Sequence, residues 1–176
     1  MKEFTFNKEN HTYHTENGEE RPSVTRVLND MGFVNAVWFT DESRLRGQYV
    51  HQIVQYSIAD DLDEGTIDPS LHGYYDAWNK FRDDTHFEIR FVEQALISET
   101  YRFAGTPDLT GNLNGMPSVI DIKSGVITPC TGLQLGAYQQ LIDEEYFNPY
   151  RRYSLQLKPN GKYKLTKYED RNDRKI

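Results

Sequence analysis

An α/β (α+β) fold, with a central mixed β-sheet flanked by helices and a β-hairpin at each terminus, is what three features of this sequence predict. Apolar residues recur at helical spacing in the first part of the chain. The middle then switches to strand alternation punctuated by Asn-Gly. A last helical stretch separates that meander from a terminal pair of strands. The chain has 176 residues, with no internal repeat, low-complexity tract or linker, so a single domain over residues 1–176 is expected.

Each element has a local reason. Phe4–Phe6 and Thr12–His14 read as short strands, and Asn17-Gly18 is a turn signal. Pro22-Ser23 opens a helix through Leu28, with Ser23 as its N-cap. Asp41-Glu42-Ser43 starts a longer helix to about Ile58, with Leu45, Tyr49, Ile53 and Tyr56 as the expected apolar stripe. An acidic loop (Asp60, Asp61, Asp63, Glu64, Asp68) leads to a third helix from Pro69 to about Arg82, proline being favourable at a helix start. Glu88–Ser98, Arg102–Gly111 and Ser118–Lys123 read as strands, the last two joined at Asn114-Gly115. Leu133–Phe147 reads as a helix. Arg151–Leu157 and Tyr163–Tyr168 pair around Pro159-Asn160-Gly161.

Composition narrows the function classes. The apolar share is 37%, of which aromatics are a large part at 13%, so the chain has the means to form a core. Cys130 is the single cysteine, which excludes an internal disulfide framework and any four-cysteine zinc or iron–sulfur site, and fits a reducing compartment. The first residues, MKEFTFNKEN, hold no long apolar stretch, so no signal peptide is expected, and no run approaches the length of a membrane span. A cytoplasmic location, in a bacterial or phage-infected cell, is the resulting expectation. Net charge is −7, yet residues 148–176 hold nine lysines and arginines against three acids. Such a balance argues against coating DNA by charge alone and leaves a local nucleic-acid contact open.

The strongest local feature is Val119-Ile120-Asp121-Ile122-Lys123. On a strand, Asp121 and Lys123 share one face while Ile120 and Ile122 enter the opposite layer. This places a carboxylate and an ammonium side by side, either as a surface ion pair worth about 0–1 kcal/mol or as working groups. Upstream, Gly105-Thr106-Pro107-Asp108 puts a second carboxylate where one strand can finish, turn and pair with the next. Close like charges require a proton or a cation between them, and hard oxygen ligands suit Mg²⁺ or Mn²⁺; Asp108 as a mere turn residue is the alternative. Glu93 is the one acid on the face Ile89, Phe91, Ala95, Ile97, and needs a partner there, a cation or Lys123, unless it serves a structural ion pair. Gly47 and His51 share a helix face, where the glycine permits close approach and His51 is either a ligand or a half-buried histidine. Gln134 and Tyr138 also share a helix face and can hydrogen-bond to phosphate or to a lysine, or simply pack. Arg44 and Arg46, one to two turns before His51, are placed to meet DNA; Lys158, Lys162, Lys164 and Lys167 are a candidate backbone contact or a solvated hairpin.

Taken in order, Gly-x-x-x-His, a strand Glu, Gly-x-x-Asp, Asp-x-Lys and Gln-x-x-x-Tyr resemble the RecB-like branch of the PD-(D/E)xK nuclease superfamily. The likeness runs from about Gly47 to Tyr138, and the segment Pro22–Leu28 with the terminal hairpin extends it toward the mitochondrial genome maintenance exonucleases and small phage exonucleases. The resemblance implies a restriction-endonuclease-like core. It further implies that His51, Asp108 and Asp121 bind one or two Mg²⁺ or Mn²⁺ ions, with the Ile122 carbonyl as a further ligand and Glu93 as a direct or water-mediated one. Lys123 would orient the attacking water and offset charge on the scissile phosphate, and Gln134 and Tyr138 would brace Lys123 or the DNA backbone. Relatives with an iron–sulfur cluster use four cysteines, which this chain lacks. No Walker A loop is present in these residues, so no fused helicase motor is expected.

The expected activity is a divalent-metal-dependent deoxyribonuclease, an exonuclease on DNA ends or single strands in replication, recombination or repair. A recombinase or single-strand-binding protein is the kind of partner such an activity implies. The alternatives are a structure-specific endonuclease on the same fold and a non-catalytic nucleic-acid-binding module.

Overall fold

The computed structural model describes residues 3–34, 40–146 and 149–169. A five-stranded sheet in the order β10-β9-β8-β7-β4 carries the architecture. Its strands are β4 (Glu88–Val92), β7 (Leu109–Leu113), β8 (Met116–Lys123), β9 (Arg151–Leu157) and β10 (Tyr163–Tyr168). β8 and β9 are parallel and every other neighbouring pair is antiparallel, so the sheet is mixed. A parallel pair cannot be closed by a tight turn. Helix α4 (Cys130–Tyr146) makes the crossover between them.

Helices cover both faces. On one, α2 (Asp41–Ile58) and α3 (His72–Thr85) bury Val50, Val54, Trp78 and Phe81 against Ile120, Ile122, Leu155 and Leu157. On the other, α1 (Val24–Asp30) and α4 bury Leu28, Leu135, Leu141 and Ile142 against Val119. The N-terminal segment adds a three-stranded sheet of β1 (Phe4–Asn7), β2 (Thr12–Thr15) and β3 (Glu20–Arg21), and β5 (Leu96–Ser98) pairs with β6 (Phe103–Gly105). The expected fold class therefore holds, with the N-terminal hairpin enlarged by one strand. Among the described residues, no helix is long and apolar enough to cross a membrane.

Several local expectations hold for the expected reasons. The Ser23 side chain accepts from the Arg26 N–H and caps α1, and α2 runs over the residues its spacing indicated. Asn114 and Gly115 both take positive φ, the conformation that closes a two-residue hairpin with the twist of its strands.

Others are corrected. The apolar stripe of α2 is displaced: Leu45, Tyr49 and Tyr56 are exposed, and Val50, Ile53 and Val54 face the core. Two apolar rows lie side by side on this helix, and packing against α3 and the sheet selects the second. α3 begins at His72 rather than Pro69, because the Asp68 carboxylate accepts from both the N–H and the hydroxyl of Ser70 and holds a turn there. α4 begins at Cys130, one turn before Leu133, and Phe147 lies outside the described residues. The stretch Glu88–Ser98 is two strands, broken at Glu93 by its left-handed backbone (φ 44°). Arg102–Gly111 is likewise two, separated by Thr106, Pro107 and Asp108, where proline removes an N–H the ladder would need. Of the basic C-terminal residues, Arg171, Arg174 and Lys175 lie outside the described residues.

The pairing of β4 with β7 shifts register between Ile89 and Phe91, and the Glu88 carbonyl closes over Gly111. A methyl group at 111 would meet that carbonyl and, at 2.9 Å, the ring edge of Phe87. Gly111→Ala is expected to lower stability by about 1–3 kcal/mol, read as a fall in the urea midpoint at unchanged m-value.

Candidate active site

β8 is the middle strand of the sheet, and its last residues build the site. Alternation sends Ile120 and Ile122 into the α2–α3 layer and Asp121 and Lys123 to the α4 side. Lys123 Nζ lies 2.7 Å from Asp121 Oδ2 and donates to Gln134 Oε1 at 3.0 Å. Gln134 Nε2 in turn donates to the Tyr138 hydroxyl at 3.1 Å. Asp121 is 1% exposed. Burial by itself would lower the lysine pKa, but the carboxylates of Asp121 and Asp108 outweigh it and hold Lys123 above the usual lysine range, so it is an ammonium. Burial also drives the Tyr138 phenol well above its ordinary value, aided by the same two carboxylates.

Asp108 stands at the entry to β7, and the antiparallel register sets it beside the end of β8. Its Oδ2 accepts the Ile122 N–H at 2.6 Å, and its Oδ1 lies 3.5 Å from His51 Nδ1. The other ring nitrogen, His51 Nε2, is 3.1 Å from the Ile122 carbonyl oxygen. The backbone of Ile122 is thus held on both sides, its N–H by Asp108 and its carbonyl oxygen beside His51. Burial pushes the Asp108 carboxyl up to about 6, with His51 lowering and Asp121 raising it.

Glu93 reaches the same end of the sheet through the strand break. Its N–H donates to the Asp108 carbonyl at 2.9 Å. Its carboxylate accepts from Gln55 Nε2 and lies 3.3 Å from Lys8 Nζ. Sequence reasoning missed Lys8 and Gln55. Gln55 had a signal, since it follows His51 by four residues on the same helix face. Lys8 had none: it belongs to the β1–β2 turn and arrives through tertiary packing.

A cleft of about 920 Å³ opens over these groups, between α2 and the loop that follows Lys123. Arg44, Arg46, Gly47 and His51 line one wall, with Lys123 and Gly125 opposite. Arg44 is exposed and lies 3.4 Å from Asp41, and Arg46 Nε is buried without a partner. Gly47 borders the cleft as its spacing indicated, but no backbone presses on it, since a methyl there would meet only Ser124 Oγ at 3.8 Å. Gln134 and Tyr138 do not line the cleft; they stand behind Lys123, Tyr138 being buried. Their bonding favours bracing the lysine over touching a substrate.

Two carboxylates, an imidazole and a peptide oxygen gathered at one point suit a hard divalent cation. Asp121 Oδ2 faces the ammonium without hydrogen-bond geometry and has no other partner. The residues therefore fit such an ion. They are not already drawn together as ligands: no group of three or more His, Cys, Asp and Glu able to hold a metal occurs among the described residues.

Fold and site together define a class: a mixed sheet flanked by helices, with a buried aspartate at the end of its central strand paired to a lysine that borders a cleft lined by arginines. No family model matches this sequence, and no curated protein matches it. Among solved structures, a protein from Eubacterium rectale named "Putative exonuclease" has a similar fold, with a TM-score of 0.53 and 10% identity over 84% of this chain. This chain spans 65% of that protein, a little under two thirds of its length. A further match, to SSO0001, has a TM-score of 0.33 and 15% identity over 82% of this chain and 73% of the other.

The raised Asp108 pKa carries a stability consequence. The folded carboxyl keeps its proton up to about pH 6, whereas the unfolded one loses it near 3.8. Ionisation therefore costs stability progressively between these values, and the full cost is present above pH 6. Asp108→Asn is expected to stabilise the protein in EDTA at pH 7 by at most about 3 kcal/mol, read as a higher urea midpoint, with the gain vanishing toward pH 4. Urea titrations at both pH values measure it.

Proposed function

We propose that this chain is a Mg²⁺- or Mn²⁺-dependent DNA nuclease, acting as an exonuclease on DNA ends or single strands. The observation that carries the reading is the convergence of Asp108, Asp121, Lys123, His51 and the Ile122 carbonyl at one end of the sheet, where His51, Ile122 and Lys123 border the cleft. The likeness of fold to a protein named as an exonuclease supports it.

Hydrolysis of a phosphodiester needs a water in line with the leaving oxygen and positive charge where the transition state gains negative charge. Asp108, Asp121, His51 and the Ile122 oxygen would hold the cation, with Glu93 nearby. When bound, the cation supplies a water of lowered pKa and polarises the phosphoryl oxygen. Lys123, kept protonated by its two carboxylate neighbours, cannot take the proton from that water; its role is to orient the water and to stabilise the charge developing on the phosphate. Gln134, held by Tyr138, fixes the ammonium in position. Arg44 and Arg46 on the cleft wall would receive the flanking phosphates.

The test is cleavage of end-labelled linear single-stranded DNA with Mg²⁺, Mn²⁺ or EDTA. The expected result is metal-dependent loss of substrate, abolished by EDTA and by Asp121→Ala, and reduced roughly 10²–10³-fold by Lys123→Ala. Circular single-stranded DNA should survive an exonuclease. Folded protein that fails to cleave with every metal tried would overturn the reading in favour of a binding module, and loss of the circle would turn it toward an endonuclease.

A further inference from the structure

The four lysines of the terminal hairpin are equivalent in the sequence and are sorted by the structure. Lys123 on β8 pairs in register with Gln156 on β9, and Gln156 pairs with Lys164 on β10. Registered side chains share a face. Leu155 and Leu157 enter the α2–α3 layer, as do Tyr163 and Leu165 from β10, so Gln156 and Lys164 lie on the opposite face, the one that Asp121 and Lys123 occupy. Gln156 Nε2 donates to the Gly125 carbonyl at 2.7 Å, which fastens the rim of the cleft to this row. Lys164 is exposed beyond that rim, two strand spacings, about 10 Å, from Lys123.

The parallel pairing of β8 and β9 decides which end of the sheet the hairpin turn occupies. Both strands end at the cleft, so the turn that follows β9 emerges beside it. Lys158 and Lys162 bracket that turn, the Lys158 N–H donating to the Lys162 carbonyl at 3.0 Å. The turn is seated on α3, with Pro159 against Gly73 and Gly161 beside Asp76. Among the described residues, no ion pair is made by Lys158, Lys162 or Lys164. Lys167 differs on both counts: alternation turns it to the other face, and it pairs with Glu169.

We propose that Lys158, Lys162 and Lys164 form a phosphate-binding ledge that carries a nucleic-acid strand out of the cleft and across the end of the sheet. The direction of the strand rests on the nuclease reading above; the ledge itself rests on register and charge. In a protein of net charge −7, three lysines without an ion pair among the described residues, joined to the cleft rim through Gln156, fit a polyanion of repeating phosphates.

The experiment measures binding of a fluorescent single-stranded oligonucleotide to the full chain in EDTA, across a range of salt. Wild type is compared with the triple variant Lys158→Gln, Lys162→Gln, Lys164→Gln and with Lys167→Gln. Each phosphate contact on a single strand contributes about 0.7 to the slope of log Kd against log salt, so the triple variant should lose about 2. Lys167→Gln should keep the wild-type slope. A triple variant with the wild-type slope, or an equal loss from Lys167→Gln, overturns the ledge. Polyglutamate competing as well as the oligonucleotide assigns the patch to acidic polypeptides and overturns it too. Because binding is read without metal, wild type that binds in this way but never cleaves defeats the nuclease reading and leaves the ledge standing.

Discussion

Two ions of opposite sign on the central strand of the sheet govern the arrangement around them. Removing a carboxylate and an ammonium from water costs several kcal/mol each, and mutual attraction offsets this only if the remaining valences are met. Lys123 meets the condition through α4, which supplies Gln134 to the ammonium and Tyr138 to Gln134, whereas Asp121 Oδ2 has the ammonium beside it and no hydrogen-bond partner. The second carboxylate, Asp108, is stripped of water, and this loss outweighs the attraction of His51 and Lys123 and holds its carboxyl above the ordinary range.

The strand breaks serve the same end of the molecule. Glu93 and the Thr106–Asp108 segment interrupt what would otherwise be long strands, and the Glu93 N–H is tied to the Asp108 carbonyl. The sheet therefore stops where the cleft opens. The remaining halves, β5 and β6, leave the main sheet and pair with each other, joining α1 through the bond from the Ala104 N–H to the Pro22 carbonyl. The N-terminal sheet is fastened here as well, by the Tyr13 hydroxyl at 2.7 Å from Thr106 Oγ1 and by Lys8 at Glu93.

What was legible in the sequence was local. Alternation along one strand is enough to set Asp121 beside Lys123, and the conformational needs of Asn114-Gly115 are enough to set Asp108 at the entry to the neighbouring strand. What was illegible depended on partners far along the chain. Leu45, Tyr49 and Tyr56 keep helical spacing as faithfully as Val50, Ile53 and Val54 do, and spacing alone does not say which row meets the sheet. Ile89, Phe91, Glu93, Ala95 and Ile97 share a parity that reads as one strand, because a left-handed residue in the middle leaves no mark on composition. Lys8 enters the site from a turn whose sequence speaks only of solvent.

The Ile122 oxygen introduces an asymmetry between what the site contains and what substitution can reveal. A main-chain carbonyl has no codon of its own. Exchanging Ile122 for another apolar residue changes the packing under the sheet and leaves the oxygen beside His51 in place. A survey of side-chain replacements would thus record position 122 as a core residue tolerant of conservative change, and would assign the chemistry to its two neighbours. Only replacement of the amide linkage itself, as in a backbone ester, reaches that atom's contribution. Part of the donor set is in this sense inherited from the strand, and is secure for as long as the strand keeps its register.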